Sequence, residues 1–419
     1  MSTRCTWLLG VLILISVGLL VACGSHFSAS SDGLVIVPSQ GSAVLQAFSF
    51  ALNNGHTSQI NTAPSTNGTP TAVLLDPAGS FAYVLVNQNT IATFKVSSNG
   101  TLSSVGTTGF NPASVTVPGA ANPESVPVVP AALAMDSVGK FLFVADRETS
   151  DSAHLSVPGG ISVFSVGSNA ALTEVAGSPF FPTPPVAGSA PTDMVALAPT
   201  PVTFPTANAV CTNQNAPTAE YLYVADSLNN QVWDFAVDMS SGALAKPAGD
   251  GSVPVVAAGS VPAGIAVDAC GRFVYVANQN SNNVSAYSIC TKVQIPTCLN
   301  ADDSLVPIGG SPFNALTNPG PIVVDPFGNT LYVVNQGSNS ISTFRISPVT
   351  GSLTTSGAGL ATGANPVSIA IRSDDQWLFV TNNGSSSVTE YAITPASGAL
   401  APAGAGITTD NLPFGLAVK

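Results

Sequence analysis

A chain of 419 residues with 22 acidic against 10 basic side chains carries a formal net charge of −12. That balance excludes the basic stripe expected of a nucleic-acid-binding surface. Only 8% of the residues are charged, so the solvated exterior must be built from hydroxyls and amides.

The N-terminus reads as a targeting signal. Met1 to Arg4 holds one positive charge, an apolar run follows from Trp7 to Val21, and the run ends in Leu20-Val21-Ala22-Cys23-Gly24, the pattern of a bacterial lipobox. Residues 1–22 are expected to be removed, leaving Cys23 as the site of lipidation and residues 23–32 as a Ser-rich tether. The alternatives are an ordinary signal peptide or a membrane anchor, for which the run is short. Gly24, in place of Asp, resembles lipoproteins sorted to the outer membrane of a diderm cell. The expected location is therefore the cell envelope, with the lipid as the only membrane contact. Later apolar runs are each interrupted by Pro or Gly and do not read as spans.

From residue 33 onward the chain is a repeat. Gly264 to Ile289, GIAVDACGRFVYVANQNSNNVSAYSI, reads as three short strands with apolar alternation, joined by a Gly-containing turn and an Asn-rich turn; a fourth strand follows at Leu305 to Gly309. Copies begin at Val73, Leu133, Ile322 and Ile369, and an interrupted copy runs from Met194 to Ala198 and resumes at Tyr221. Gly33 onward supplies second and third strands without a first. GLAVK, Gly415 to Lys419, supplies the missing first strand. The pattern predicts an all-β fold: a seven-bladed β-propeller of four-stranded antiparallel blades over residues 33–419, its ring closed by the C-terminal strand joining the first blade. A monomer is expected.

Four cysteines lie in this region. In blade topology Cys211 and Cys270 share one face on adjacent blades, and Cys290 and Cys298 bracket one turn, so disulfides Cys211–Cys270 and Cys290–Cys298 are expected in an exported chain. A zinc site is disfavoured, since no His lies near and no paired C-x-x-C occurs. No metal and no cofactor are expected.

The unit ΦxΦD-x-x-G-x-x-ΦYV-x-N, with hairpins such as Val349 to Leu353 and Ala396 to Leu400, resembles the seven-bladed lactonase propellers, which include 6-phosphogluconolactonase and muconate-cyclase types. The resemblance implies the fold strongly and the activity weakly. Active sugar-lactonase members carry an Arg-His pair opening an inner strand and a Glu after a later YV-type strand. Here the openings Pro130-Ala131-Ala132, Pro262-Ala263-Gly264, Pro319-Gly320-Pro321 and Pro366-Val367-Ser368 hold neither Arg nor His.

Two candidate sites remain. His154, Arg147, Glu148 and Asp151 share one enlarged loop. There His154 could serve as general base, Arg147 as oxyanion clamp and a carboxylate as orienting acid for lactone hydrolysis; a solvated loop with weak ion pairs is the competing reading and the preferred one. Asn87, Asp146, Asp226, Asn278, Asn335 and Asn382 end the second strands, with Ser39 as the match in the first blade. They could ring the channel mouth and bind a ligand, or simply form turns, which is the favoured role. Asp76, Asp136, Asp268 and Asp325 read as turn caps. The preferred function is a binding or scaffold protein of the envelope with an envelope protein, carbohydrate or lactone as ligand. A lactone hydrolase is the first alternative and a surface structural or adhesion protein the second.

Overall fold

The computed structural model describes residues 32–52, 55–60, 63–87, 89–109, 114–115, 124–125, 129–147, 159–182, 189–197, 220–247, 255–268, 270–290 and 304–419. Seven antiparallel sheets stand around an axis, almost without helix. We number them as blades in chain order. Blade 1 pairs Asp32–Ser39 and Val44–Ala51 with the C-terminal Ala417–Val418 as its innermost strand. The inner strands of blades 2 to 7 are Pro70–Leu75, Val129–Met135, Pro191–Leu197, Pro262–Val267, Pro319–Val324 and Pro366–Ile371. The expected ring closure is present: Ile36 faces Ala417 and Val35 faces Val418.

The second strand of each blade is buried on both sides, which explains its continuous apolar run. In Phe273–Asn278, Phe273, Tyr275 and Ala277 pack toward blade 6, while Val274 and Val276 pack toward blade 4. Seven apolar clusters result, each straddling two neighbouring blades. No blade has a core of its own, so the blades stabilise each other by shared burial.

Two kinds of turn alternate between the faces. The face where first strands end, here the base, carries the Asp-x-x-Gly turns. Asp76 Oδ1 accepts from the N–H groups of Ser80 and Phe81, and Asp136 Oδ1 from those of Lys140 and Phe141. Asp268 and Asp325 do the same in blades 5 and 6, as expected for turn caps. The glycine closing each turn lies at positive φ, +61° at Gly79 and +72° at Gly328, which a side chain disfavours. In blade 7 the turn reads Arg372-Ser373-Asp374-Asp375, and Asp375 takes the glycine's place at φ +56°.

The outer strands depart from the sequence reading. The fourth strand expected at Leu305 to Gly309 is Leu305–Pro307, and a separate piece, Phe313–Asn314, pairs with the other end of the same third strand. Blades 4 and 6 are split in the same way. The outer strand of blade 2 is longer, Leu102–Gly109. These strands have one exposed side, and their sequence carries little apolar signal.

Candidate functional site

The inner strands enclose a channel of about 750 Å³ that opens on the mouth face, where first strands begin. Its upper wall follows from a repeated device. The inner strands of blades 2 to 7 carry a proline at the first position, or at the second in blade 3, and the pairing register slips by one residue just after it: between Pro70 and Ala72, Pro130 and Ala132, Pro191 and Asp193, Pro262 and Gly264, and Pro366 and Ser368. Blade 6 shows the same irregularity after Pro319. In blade 1 a bridge joins Ser39 to Pro413 before the strand resumes. Proline has no N–H to give to the ladder, and the bulge that follows re-aims the next side chains.

The residues so placed are mostly small or apolar: Ala131, Ala132, Ala263, Gly320 and Pro321 among them. Asp193 is the exception. It is the one ionisable side chain among the channel-lining residues described. Its Oδ2 accepts from the N–H of Ile265 in blade 5 at 3.0 Å, and Oδ1 from the N–H of Met194 at 2.9 Å. Burial pushes its carboxyl up to about 6, against the lowering effect of those two N–H groups. The carboxylate thus straps two blades. With two N–H bonds accepted, it keeps spare lone pairs for a ligand.

Polar groups flank it. Thr192 Oγ1 donates to the carbonyl of Pro262 at 2.9 Å, and Ser227 Oγ to that of Ala190 at 3.1 Å. Gln279 Nε2 donates to Gln336 Oε1 at 2.9 Å across blades 5 and 6. On the other side Thr71 Oγ1 is buried without a hydrogen-bond partner. The channel wall therefore offers amides, hydroxyls and one carboxylate, with no Lys, Arg or His among its described lining residues.

The six residues ending the second strands reach the mouth face but do not line the channel. Asp226 is fully buried and accepts from the N–H groups of Ala190 and Leu228 and from the side chains of Asn229 and Gln231. Asn278 Nδ2 donates to Asn283 and Ser285, Asn335 Nδ2 to Ser342, and Asn382 Nδ2 to Thr389. The three asparagines tie their strands to the third strands through side chains, and Asp226 accepts as well from the N–H of Leu228 in its own turn. Asp146 is buried on Ser162 Oγ, and its carboxyl is pushed up to about 7 by burial. Asn87 is exposed, at φ +57°, and Oδ1 accepts from the N–H of Thr69. Ser39 is buried and donates to Gln46 Oε1.

Of the enlarged loop, Glu148, Asp151 and His154 lie outside the described residues. Arg147 ends the strand Phe141–Arg147 on the mouth face. Cys270 and Cys290 are each disulfide-bonded; Cys211 and Cys298 lie outside the described residues, as does Cys23. Among the described residues, no three His, Cys, Asp or Glu side chains converge as a metal site would require.

Asp193 was missed because the opening Pro191-Thr192-Asp193 precedes the interrupted copy. Aligning all seven openings by their proline would have singled it out as the only charged one.

A family model described as "Lactonase, 7-bladed beta-propeller" matches residues 187–304 and 299–412, together more than half of the chain. No curated protein matches the sequence. Among solved structures, a Bacteroides fragilis protein described as a 6-phosphogluconolactonase is 19% identical over 94% of this chain and 99% of its own, with a TM-score of 0.68. The periplasmic gluconolactonase of Pseudomonas aeruginosa is 17% identical over 93% and 99%, with a TM-score of 0.66. A Desulfotomaculum acetoxidans protein of unknown function is 17% identical over 93% and 99%, with a TM-score of 0.58. At such identities the likeness shows the fold alone.

Proposed function

The chain belongs to the seven-bladed lactonase propeller family, and from that premise we propose that it is an exported, lipid-anchored protein that binds a small, uncharged polar ligand of the sugar or sugar-lactone class in its central channel. The observation that carries this reading is the channel wall: one carboxylate, several hydroxyls and two amides, without a cation among the described lining residues. Hydroxyl groups of a ligand would donate to Asp193. A phosphorylated ligand finds no counter-charge there and meets a carboxylate instead.

Binding is favoured over turnover because the donors that flank Asp193 are already engaged, which leaves Thr71, on the other side of the channel, as an unpartnered hydroxyl. Lactone hydrolysis needs a base for water and free donors for the oxyanion. Thr192, Ser227 and Gln279 each donate to a protein oxygen. One observation supports hydrolysis as a second reading: the Asp193 carboxyl, raised to about 6, lies in the range useful to a general base near neutral pH. In that reading Asp193 takes a proton from water as the water oxygen bonds to the lactone carbonyl. It returns the proton as the ring C–O bond breaks.

Calorimetry and a pH-stat assay with D-glucono-1,5-lactone, glucose and 6-phosphogluconate separate the readings. Saturable binding of the neutral compounds, weakened tenfold or more in Asp193→Asn, with 6-phosphogluconate binding weakest and hydrolysis no faster than the blank, is expected. Turnover abolished in Asp193→Asn would make the second reading the correct one. Failure of all three to bind would remove the channel from consideration and return the enlarged mouth-face loop, with an envelope protein as partner, as the binding surface. The same export reading carries the disulfides Cys211–Cys270 and Cys290–Cys298, which peptide mapping without reduction tests.

A further inference from the structure

The channel wall has an apolar side as well as a polar one. The residue just after each opening proline lines the channel in all seven blades. In blades 2 to 7 that residue is Thr71, Ala131, Thr192, Ala263, Gly320 or Val367. In blade 1 it is Phe414, the one aromatic side chain among the described lining residues. Its ring is half-buried, yet among the described residues it joins none of the seven apolar clusters and stacks on no other ring. Leu416, two residues on, does join the cluster between blades 7 and 1. A phenylalanine ordinarily contributes by burying its ring in a core. This one is held at the channel wall instead.

The backbone around Phe414 is fastened on both sides. The Pro413 carbonyl accepts from Asn383 Nδ2 at 3.0 Å, the Phe414 N–H donates to the carbonyl of Pro38 at 2.8 Å, and the Gly415 carbonyl accepts from Thr381 Oγ1 at 3.1 Å. Gly415 lies at φ +97°, which favours glycine, and a Cβ there would meet Pro38 at 3.3 Å. Three successive residues are thus tied to blades 1 and 7. Blade 1 stands across the ring from blade 4, with two blades between them on one side and three on the other. The wall of blades 7 and 1 presents Val367 and Phe414, with Ser368 the hydroxyl beside them. The facing wall of blades 4 to 6 presents Thr192, Asp193, Ser227, Gln279 and Gln336.

We infer that Phe414 is the stacking platform for a pyranose ring, whose C–H face lies on the phenyl ring while its hydroxyls turn toward the wall of Asp193. This rests on the sugar-binding reading proposed above and narrows the ligand to a closed ring. The negative face of the phenyl quadrupole attracts the axial C–H groups of a pyranose, and bringing the two apolar surfaces together removes both from water. An open-chain polyol carries similar hydroxyls but no fixed C–H face, so the apolar wall selects against it.

Ligand-observed NMR with the full-length chain tests this, using methyl β-D-glucopyranoside and D-sorbitol as probes. The glucoside is expected to bind about three- to tenfold more tightly than sorbitol, the range a single stacking contact supplies. The axial protons of one face of its ring should move upfield on binding, as protons held over an aromatic ring do. Phe414→Leu keeps an apolar side chain without a π face. It should lose the upfield shift and bring glucoside binding down to the sorbitol level. Phe414→Tyr keeps the ring and should retain both, so the test stands even if leucine disturbs the opening. A glucoside that binds without an upfield shift, or equally well in Phe414→Leu, would overturn the stacking and leave the channel reading intact. Failure of both glucoside and glucose to bind the wild type would overturn the channel reading and this inference with it.

Discussion

The base turns and the channel openings are both repeated around the ring, yet they treat their carboxylates differently. At the base, Asp76, Asp136, Asp268 and Asp325 hold the same position in four blades and accept the same kind of backbone N–H. At the openings the residue two after proline is Ala72, Ala132, Asp193, Gly264, Pro321, Ser368 or Gly415, and only one of these is charged. A residue that recurs with the repeat serves the blade. One that occurs once, in a wall shared by all the blades, is free to serve a ligand.

The largest effect should come from breaking the repeated element. Asp268→Ala removes the acceptor for the Phe273 N–H and the partner of Arg272 Nε, 2.8 Å away. It is expected to cost about 3–5 kcal/mol, as for one member of a buried ion pair, read from urea unfolding. An unchanged midpoint would mean that the turn holds without its cap.

Next, Gly264→Ala tests how tightly the openings are set. A Cβ there would run into the carbonyl of Gly320 in blade 6. Overpacking of about 1–3 kcal/mol is expected, visible as a lower Tm. The two neighbouring openings would then differ as the structure implies: a carboxylate fits at Asp193, and not even a methyl group at Gly264.

Asp375→Gly restores the repeat in the blade that departs from it. It removes a side chain from positive φ and a buried carboxyl that burial, with Asp325 and Asp374 nearby, raises to about 7. A gain of about 1 kcal/mol is expected near pH 8. The sign follows from the raised value. The stability tied to the protonated form is fully present below the unfolded carboxyl value near 4 and is lost as pH rises through about 7. Glu220 and Glu390, also raised to about 7 by burial, act in the same sense. The wild type should therefore melt higher at pH 5 than at pH 8, with a smaller difference in Asp375→Gly. A higher Tm at pH 8 would contradict these assignments.

The smallest effect on the fold is expected from Asp193→Asn. The amide keeps an acceptor for Ile265, and its benefit relative to the wild type should grow by about 1 kcal/mol as pH rises through about 6. A large loss of stability at pH 5 would make Asp193 a structural strap and remove it from the ligand site.

Much of the fold was legible because the repeat exposes its own physics. FVYVAN is apolar on both faces because both faces are buried, and Asp-x-x-Gly marks a turn whose last residue takes positive φ. The partners of Asn278, Asn335 and Asn382 were less readable, since their amides donate across to hydroxyls of the third strand as well as standing beside a turn. Split outer strands were not readable, because a sheet edge half in water leaves no strict pattern. The channel wall was least legible. Which side of an inner strand faces the axis depends on a bulge one residue after proline, and a shift of one residue exchanges the two sides.

By itself, the sequence determined the number of blades, their order, the closure of the ring by its last strand and the capped turns of the base, because each is set by local patterns of apolar, glycine and aspartate residues. Only the tertiary structure decided that Thr192, Asp193, Gln279 and Gln336 share one channel and that the residues ending the second strands stay out of its wall. That grouping joins residues from separate blades, and what joins them is the burial each blade obtains only from its neighbours.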